Sequence, residues 1–188
     1  MIRNLNNLKP KINEKAYVNE AAYVVGEVEI DEFSSVWPGA VIRADSGKIS
    51  IGKRSNIQDN TAVHSDNGSI IGDDVTIGHG VVIHAKKIGS GTLIGNGAVL
   101  NDEVTIGSNC IVAAGSVVIE GTDIPDNSIV RGIPGKAIGR ILEKHTDLIK
   151  KAGNFYVERT KIYKKAKKNR INHTHEVWFI SRWKKNKI

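Results

Sequence analysis

The sequence predicts an all-β fold: a parallel β-helix of six-residue repeats, with one C-terminal α-helix packed along it. Three observations predict it. The first is composition. The 188 residues include 26 Ile, 18 Val and 19 Gly but only 5% aromatics, a mix that favours short strands and tight turns over a few bulky core anchors. The second is a ladder of aliphatic residues: Val24, Ile30, Val36, Ile42, Ile51, Ile57, Val63, Ile71, Ile77, Ile83, Ile88, Ile94, Leu100, Ile106, Val112 and Val118. Twelve of its fifteen intervals are six residues long. The third is the choice of residues after each aliphatic. Gly comes next six times (Gly52, Gly72, Gly78, Gly89, Gly95, Gly107), and a small or β-branched residue comes four later, as in Ser34, Ala40, Ser55, Thr61, Thr92 and Cys110. Neither a 3.6-residue helix nor a uniform period-two strand gives a period of six. A short strand joined to a turn does. Three such units close a triangle, so eighteen residues make one coil. Successive coils then lie about 4.8 Å apart and bond each other's backbones.

Residues 1–135 form the β-helix domain, with coils over about 12–130; sixteen ladder positions give a little over five coils. The aliphatic residues point inward and the small residues fill the corners. Cys110 occupies such a corner and reads as a packed interior thiol. Ile129–Arg140 breaks the period at Pro134 and Gly135 and reads as the exit. A helix is expected over 136–163, where Ile141, Leu142, His145, Leu148, Ile149 and Ala152 recur at helical spacing. Phe155 or Tyr156 and Ile162 or Tyr163 extend the stripe. Packed along the prism, it covers apolar surface and sheet edge. Residues 164–188 form a basic tail with Trp178, Phe179 and Trp183.

Charge divides in the same way. Residues 1–135 hold 11 basic and 16 acidic side chains, a net of −5; residues 136–188 hold 16 and 4, a net of +12. The overall charge of +7 therefore belongs to the C-terminal part. Such a segment suits nucleic acid, anionic lipid, or an acidic patch on its own coil or a neighbouring subunit. Its partner stays open. An apolar content of 40% excludes a disordered chain. No apolar run approaches the ~18 residues of a membrane span, and the N-terminus has no signal-peptide stretch. One Cys leaves no internal disulfide and no Cys-based zinc cluster. A cytoplasmic protein is expected.

The register decides which side chains meet. Residues three ladder steps apart lie on adjacent coils. Ile42, Val63, Ile83 and Leu100 are such neighbours, so Arg43, His64, His84 and Asn101 form one outward column. His64 and His84 are therefore stacked, though twenty residues apart in sequence. One face earlier, Pro38, Asp59, His79 and Asn96 form another column. A six-residue face spans roughly 20 Å at most, so a neighbouring prism is needed to bring His79 to the pair. Three prisms about a threefold axis create three equivalent sites. The three irregular ladder intervals directly follow Arg43, His64 and His84, placing irregular turns beside the proposed site. Three neutral imidazoles suit Zn²⁺, and also Fe²⁺ or Co²⁺. His145, His173 and His175 lie outside the coil and are not expected ligands.

The stretches SSVWPGAVIRADSG, GKRSNIQDNTAVH and IGHGVVIHAKKIG resemble the γ-class carbonic anhydrases, over about residues 12–165. The resemblance implies a left-handed β-helix and a homotrimer with three-His metal sites between subunits. It implies a lyase that reversibly hydrates carbon dioxide to bicarbonate with a metal-bound hydroxide. By family pattern, His64 and His84 come from one subunit and His79 from the next. Arg43, Asp45 and Asp59 match its interface ion pairs, and Gln58 and Asn56 its polar residues near the metal-bound solvent. Tyr156 resembles a C-terminal helix tyrosine near the site. The pattern departs at Ser46, where the better-known enzymes carry an acidic first loop, and after His64, where SDNGS offers only Asp66. The chain thus resembles a shorter subclass lacking the acidic proton-shuttle loops. Two alternatives stay open. One is a hexapeptide-repeat acyltransferase using a CoA thioester, with a His as general base; the exit motif VRGIPGK fits it equally. The other is a catalytically weak metal-bound scaffold or binding protein using its basic tail.

Overall fold

The computed structural model describes residues 1–168 and contains a longer coil than the expected five turns. Seven coils form, with three ladder positions in each. The first face stacks Ile2, Val24, Ile42, Val63, Ile83, Leu100 and Val118 in register. The second stacks Ile12, Ile30, Ile51, Ile71, Ile88, Ile106 and Ile124. The third stacks Val18, Val36, Ile57, Ile77, Ile94, Val112 and Val130. The added units extend the same ladder: Ile12 and Val18 precede Val24 at six-residue spacing, and Ile124 and Val130 follow Val118. The coil is left-handed. Its interior is an aliphatic column, with every ladder residue from Val24 to Val118 buried.

The small corner residues also bond one coil to the next. Ser55 Oγ donates to the Gly72 carbonyl at 2.7 Å and accepts from the Val75 N–H at 2.9 Å. Thr61 Oγ1 does the same with the Gly78 carbonyl and the Val81 N–H, at 2.7 and 3.2 Å. These hydroxyls satisfy corner backbone groups that the strands leave unpaired. Cys110 takes the equivalent place; it is fully buried, and burial pushes its thiol above the ordinary range.

The glycine after each aliphatic has a steric cause. On the second face a Cβ at Gly72 would sit 2.7 Å from the Ser90 nitrogen, and one at Gly89 2.5 Å from the Gly107 carbonyl carbon. Coils spaced this closely leave no room there for a side chain. On the first face the same position carries Arg43, His64, His84 and Asn101. That face alone gives a full column of side chains at this register.

The exit is a hairpin. Ser128–Gly132 and Gly135–Arg140 pair antiparallel, so the helix expected over 136–163 starts later, at Glu143, and runs to Lys168. The period breaks because the chain reverses to pair with the last coil, covering an edge that would otherwise expose backbone groups. The helix then returns along the third face. Ile149, Gly153, Val157 and Thr160 are buried, whereas Leu142, Leu148, Phe155 and Ile162 are exposed. The packed stripe is thus rotated from the expected one, sharing Ile149 with it and continuing through Gly153, Val157 and Thr160. Arg54 ties the two elements, bonding Asp74 through Nε and Asn154 through Nη2, each at 2.7 Å. Trp37 packs edge-on against Tyr156 and Tyr163, with centroids 5.3 and 5.0 Å away. Residues 169–188, with Trp178, Phe179, Trp183, His173 and His175, lie outside the described residues. Among the described residues no helix is long and apolar enough to cross a membrane.

Candidate metal centre

Register fixes the first group of side chains. His64 follows Val63 on one coil and His84 follows Ile83 on the next. Their rings lie with centroids 5.0 Å apart and planes at 72°. Each ring meets a carboxylate. His64 Nε2 lies 3.0 Å from Asp45 Oδ1, and His84 Nδ1 lies 3.1 Å from Asp102 Oδ1. Arg43 pairs with Asp45. Its guanidinium holds the Asp45 carboxyl below the usual carboxylate range, with His64 adding to the effect. The His64 side chain is 13% exposed and that of His84 34%.

The second group lies on the third face and its edge. His79 Nδ1 is 3.1 Å from Asp59 Oδ2, on the coil before, and its backbone N–H donates to Asn96 Oδ1 on the coil after. The His79 side chain is 49% exposed. Asn56 and Gln58 are buried nearby on the same face. Gln58 Nε2 donates to Asn56 Oδ1 at 3.0 Å, and Asn56 Nδ2 donates to Thr76 Oγ1 at 2.9 Å. Tyr156 reaches this edge from the helix and lines a depression of about 260 Å³ with Trp37, Asp59, Phe155, Arg159 and Tyr163. Burial pushes its phenol above the ordinary range, with the Asp59 charge adding to it.

The expected site residues therefore fall into two sets. Arg43, Asp45, His64 and His84 gather on the first face; Asn56, Gln58, Asp59, His79 and Tyr156 gather on the third. Asp59 meets His79 rather than Arg43 within the chain. Among the described residues of one chain, no three His, Cys, Asp or Glu side chains converge as a metal-holding group. Sequence reasoning misses Asp102. Register points to Asn101 above His84, but Asn101 Nδ2 donates to the Val118 carbonyl at 2.9 Å and the next residue reaches the ring. His145 Nδ1 accepts from the Leu142 N–H at 3.0 Å at the start of the helix.

A divalent metal fits this donor set. His64 Nδ1 is buried with no hydrogen-bond partner, and a buried orphan of this kind calls for a specific explanation. Each of the three imidazoles also has a carboxylate on one nitrogen, the arrangement that orients metal-bound histidines.

The comparisons with known proteins bear on the fold and the family. The family model described as "Bacterial transferase hexapeptide (six repeats)" matches residues 85–120. The chain is 43% identical over 149 residues to a Methanocaldococcus jannaschii protein named "Probable carbonic anhydrase", covering 78% of this chain and 94% of that one. It is 34% identical over 170 residues to the Arabidopsis thaliana protein named "Gamma carbonic anhydrase 2, mitochondrial", covering 86% of this chain; the match spans 61% of that longer relative. A solved structure of a hexapeptide transferase family protein from Anaplasma phagocytophilum superposes with a TM-score of 0.82 at 29% identity, covering 85% of this chain and 96% of that one.

Proposed function

Because the chain belongs to the γ-class carbonic anhydrase family, we propose that it is a metal-dependent lyase that reversibly hydrates carbon dioxide to bicarbonate. In this reading it works as a cytoplasmic homotrimer with its sites between subunits. The observation that carries the proposal is the pair of stacked, carboxylate-held imidazoles with an orphaned ring nitrogen, and a third imidazole on another face. His64 and His84 of one subunit and His79 of the next would hold Zn²⁺, with Fe²⁺ or Co²⁺ suited to the same donors. When bound, such an ion supplies Lewis acidity that ionises water near pH ~7.

The remaining residues act through position and charge. Gln58 spends its amide N–H on Asn56, which leaves Oε1 to accept a hydrogen bond and orient a hydroxyl. Asn56 is fixed in turn by Thr76. Tyr156, whose phenol burial pushes above its ordinary range, serves as a hydrogen-bond donor. Arg43 is about half exposed beside Asp45 and supplies positive charge for bicarbonate.

The test is metal content per subunit of the purified oligomer, then stopped-flow hydration with each metal restored. About one metal per subunit and hydration above the buffer rate are expected, with both lost in His64→Ala and His84→Ala. No hydration at full metal loading rejects the lyase reading and leaves the scaffold. A second reading, acyl transfer from a CoA thioester, draws on the hexapeptide transferase likeness. Acetyl-CoA turnover by metal-free protein would favour it. Cell fractionation tests the cytoplasmic placement.

A further inference from the structure

We infer that Asp102 is the positioning residue that fixes the tautomer and ring orientation of His84; the inference rests on the metal-site reading above. The observation is the 3.1 Å contact between His84 Nδ1 and Asp102 Oδ1 across adjacent coils. An ionised carboxylate only accepts hydrogen bonds. Its partner nitrogen must therefore carry the proton, which leaves the lone pair on Nε2 of His84 free for a metal. A neutral imidazole without such a partner interconverts between its two tautomers.

The fold holds Asp102 firmly enough for this task. Asp102 lies in the tight turn 101–104, closed by the Val104 N–H on the Asn101 carbonyl at 3.4 Å. Its own carbonyl accepts from the Gly121 N–H on the next coil at 2.9 Å. Glu103 beside it has a φ of 55° and bonds Asn67 of the loop after His64 at 3.1 Å, so the turn is tied on both sides. Asn101 is committed to the Val118 carbonyl and is not available to His84. Among the described residues, His84 is the one ion-pair partner of Asp102. Asp45, by contrast, is shared between Arg43 and His64. Asp102 thus acts on one imidazole alone, and its removal should be felt there alone.

The experiment compares the full-length oligomer with its Asp102→Ala and Asp102→Asn variants. The ¹⁵N shifts of the His84 ring are read in metal-free protein near pH ~8.5, where an ordinary imidazole is neutral. Zinc affinity is read separately by chelator competition. In the wild type the ring should be almost entirely Nδ1-protonated. In Asp102→Ala it should become a mixture, with the His64 and His79 rings unchanged and zinc affinity lowered ~10–100-fold. Asp102→Asn should recover part of the loss, because its side-chain carbonyl still accepts from Nδ1–H. The side chain is about half exposed, so all three proteins should melt alike. A His84 ring with wild-type tautomer in Asp102→Ala overturns the inference, whatever the zinc result. Wild-type protein that takes up no zinc overturns the metal-site reading, while the ring measurement still decides the role of Asp102.

Discussion

Single residues in this coil are constrained mostly by backbone proximity. Gly26 has a φ of 87°, and a Cβ there would run into the Ala44 carbonyl. Gly26→Ala therefore combines strain with a clash and should lower stability by more than ~1 kcal/mol, measured by urea denaturation. Gly153, in the helix with open space around its Cβ position, should tolerate Ala. Charge acts at this scale too. Lys48 and, second, Lys11 hold the Glu29 carboxyl below the usual range. A depressed carboxylate stabilises the fold above its unfolded pKa and loses that contribution as pH falls through its folded one. Wild type and Glu29→Gln should differ in melting temperature at neutral pH and converge only as the pH falls from the ordinary Glu value of ~4.3 through the depressed one of the folded state. A constant gap down to lower pH would show that the pair is not responsible.

At the level of the element, one coil is the unit of stability. Ile77 is fully buried in the middle of the third face, between Ile57 and Ile94. Its truncation to Ala should cost ~2–5 kcal/mol, because aliphatic neighbours stacked above and below cannot collapse into the gap without breaking register. A loss below ~1 kcal/mol would mean the prism relaxes far more than its pairing implies. The helix is a second element with its own logic. Ile149, Gly153, Val157 and Thr160 bury against the prism, while polar ties at Arg54 and an aromatic contact at Trp37 set its position. It carries Tyr156 to the edge where Asp59 and His79 lie.

For the whole molecule, the division of site residues between two faces is the feature with most consequence. If the centre is shared between subunits, chains with complementary defects should restore it. His64→Ala and His79→Ala chains, each inactive alone, should regain activity when co-expressed. Random mixing leaves about a quarter of the interfaces with a full ligand set in a closed ring. Hydration activity and bound zinc in the purified mixed oligomer are the readouts. No recovery in demonstrably mixed trimers would refute the shared site.

The order of residues along the chain is enough to specify the coil, its inward ladder, its small corners and the stacking of His64 on His84. A period of six with backbone pairing every eighteen residues leaves few other arrangements. It also separates His79 from that pair, since the same register puts it on another face. Legibility ends where the period does. The coil count falls short because the ladder is counted only from Val24 to Val118, and residues 136–140 are read into the helix because a chain reversal has no period to count. The rotated face of the helix, the link from Arg54 to Asn154 and the contact of Asp102 with His84 belong to the folded molecule. Each depends on where a side chain turns after leaving the backbone. That choice is made by whichever neighbour already occupies the adjacent space, as Val118 does when its carbonyl takes Asn101 and leaves His84 to the next residue.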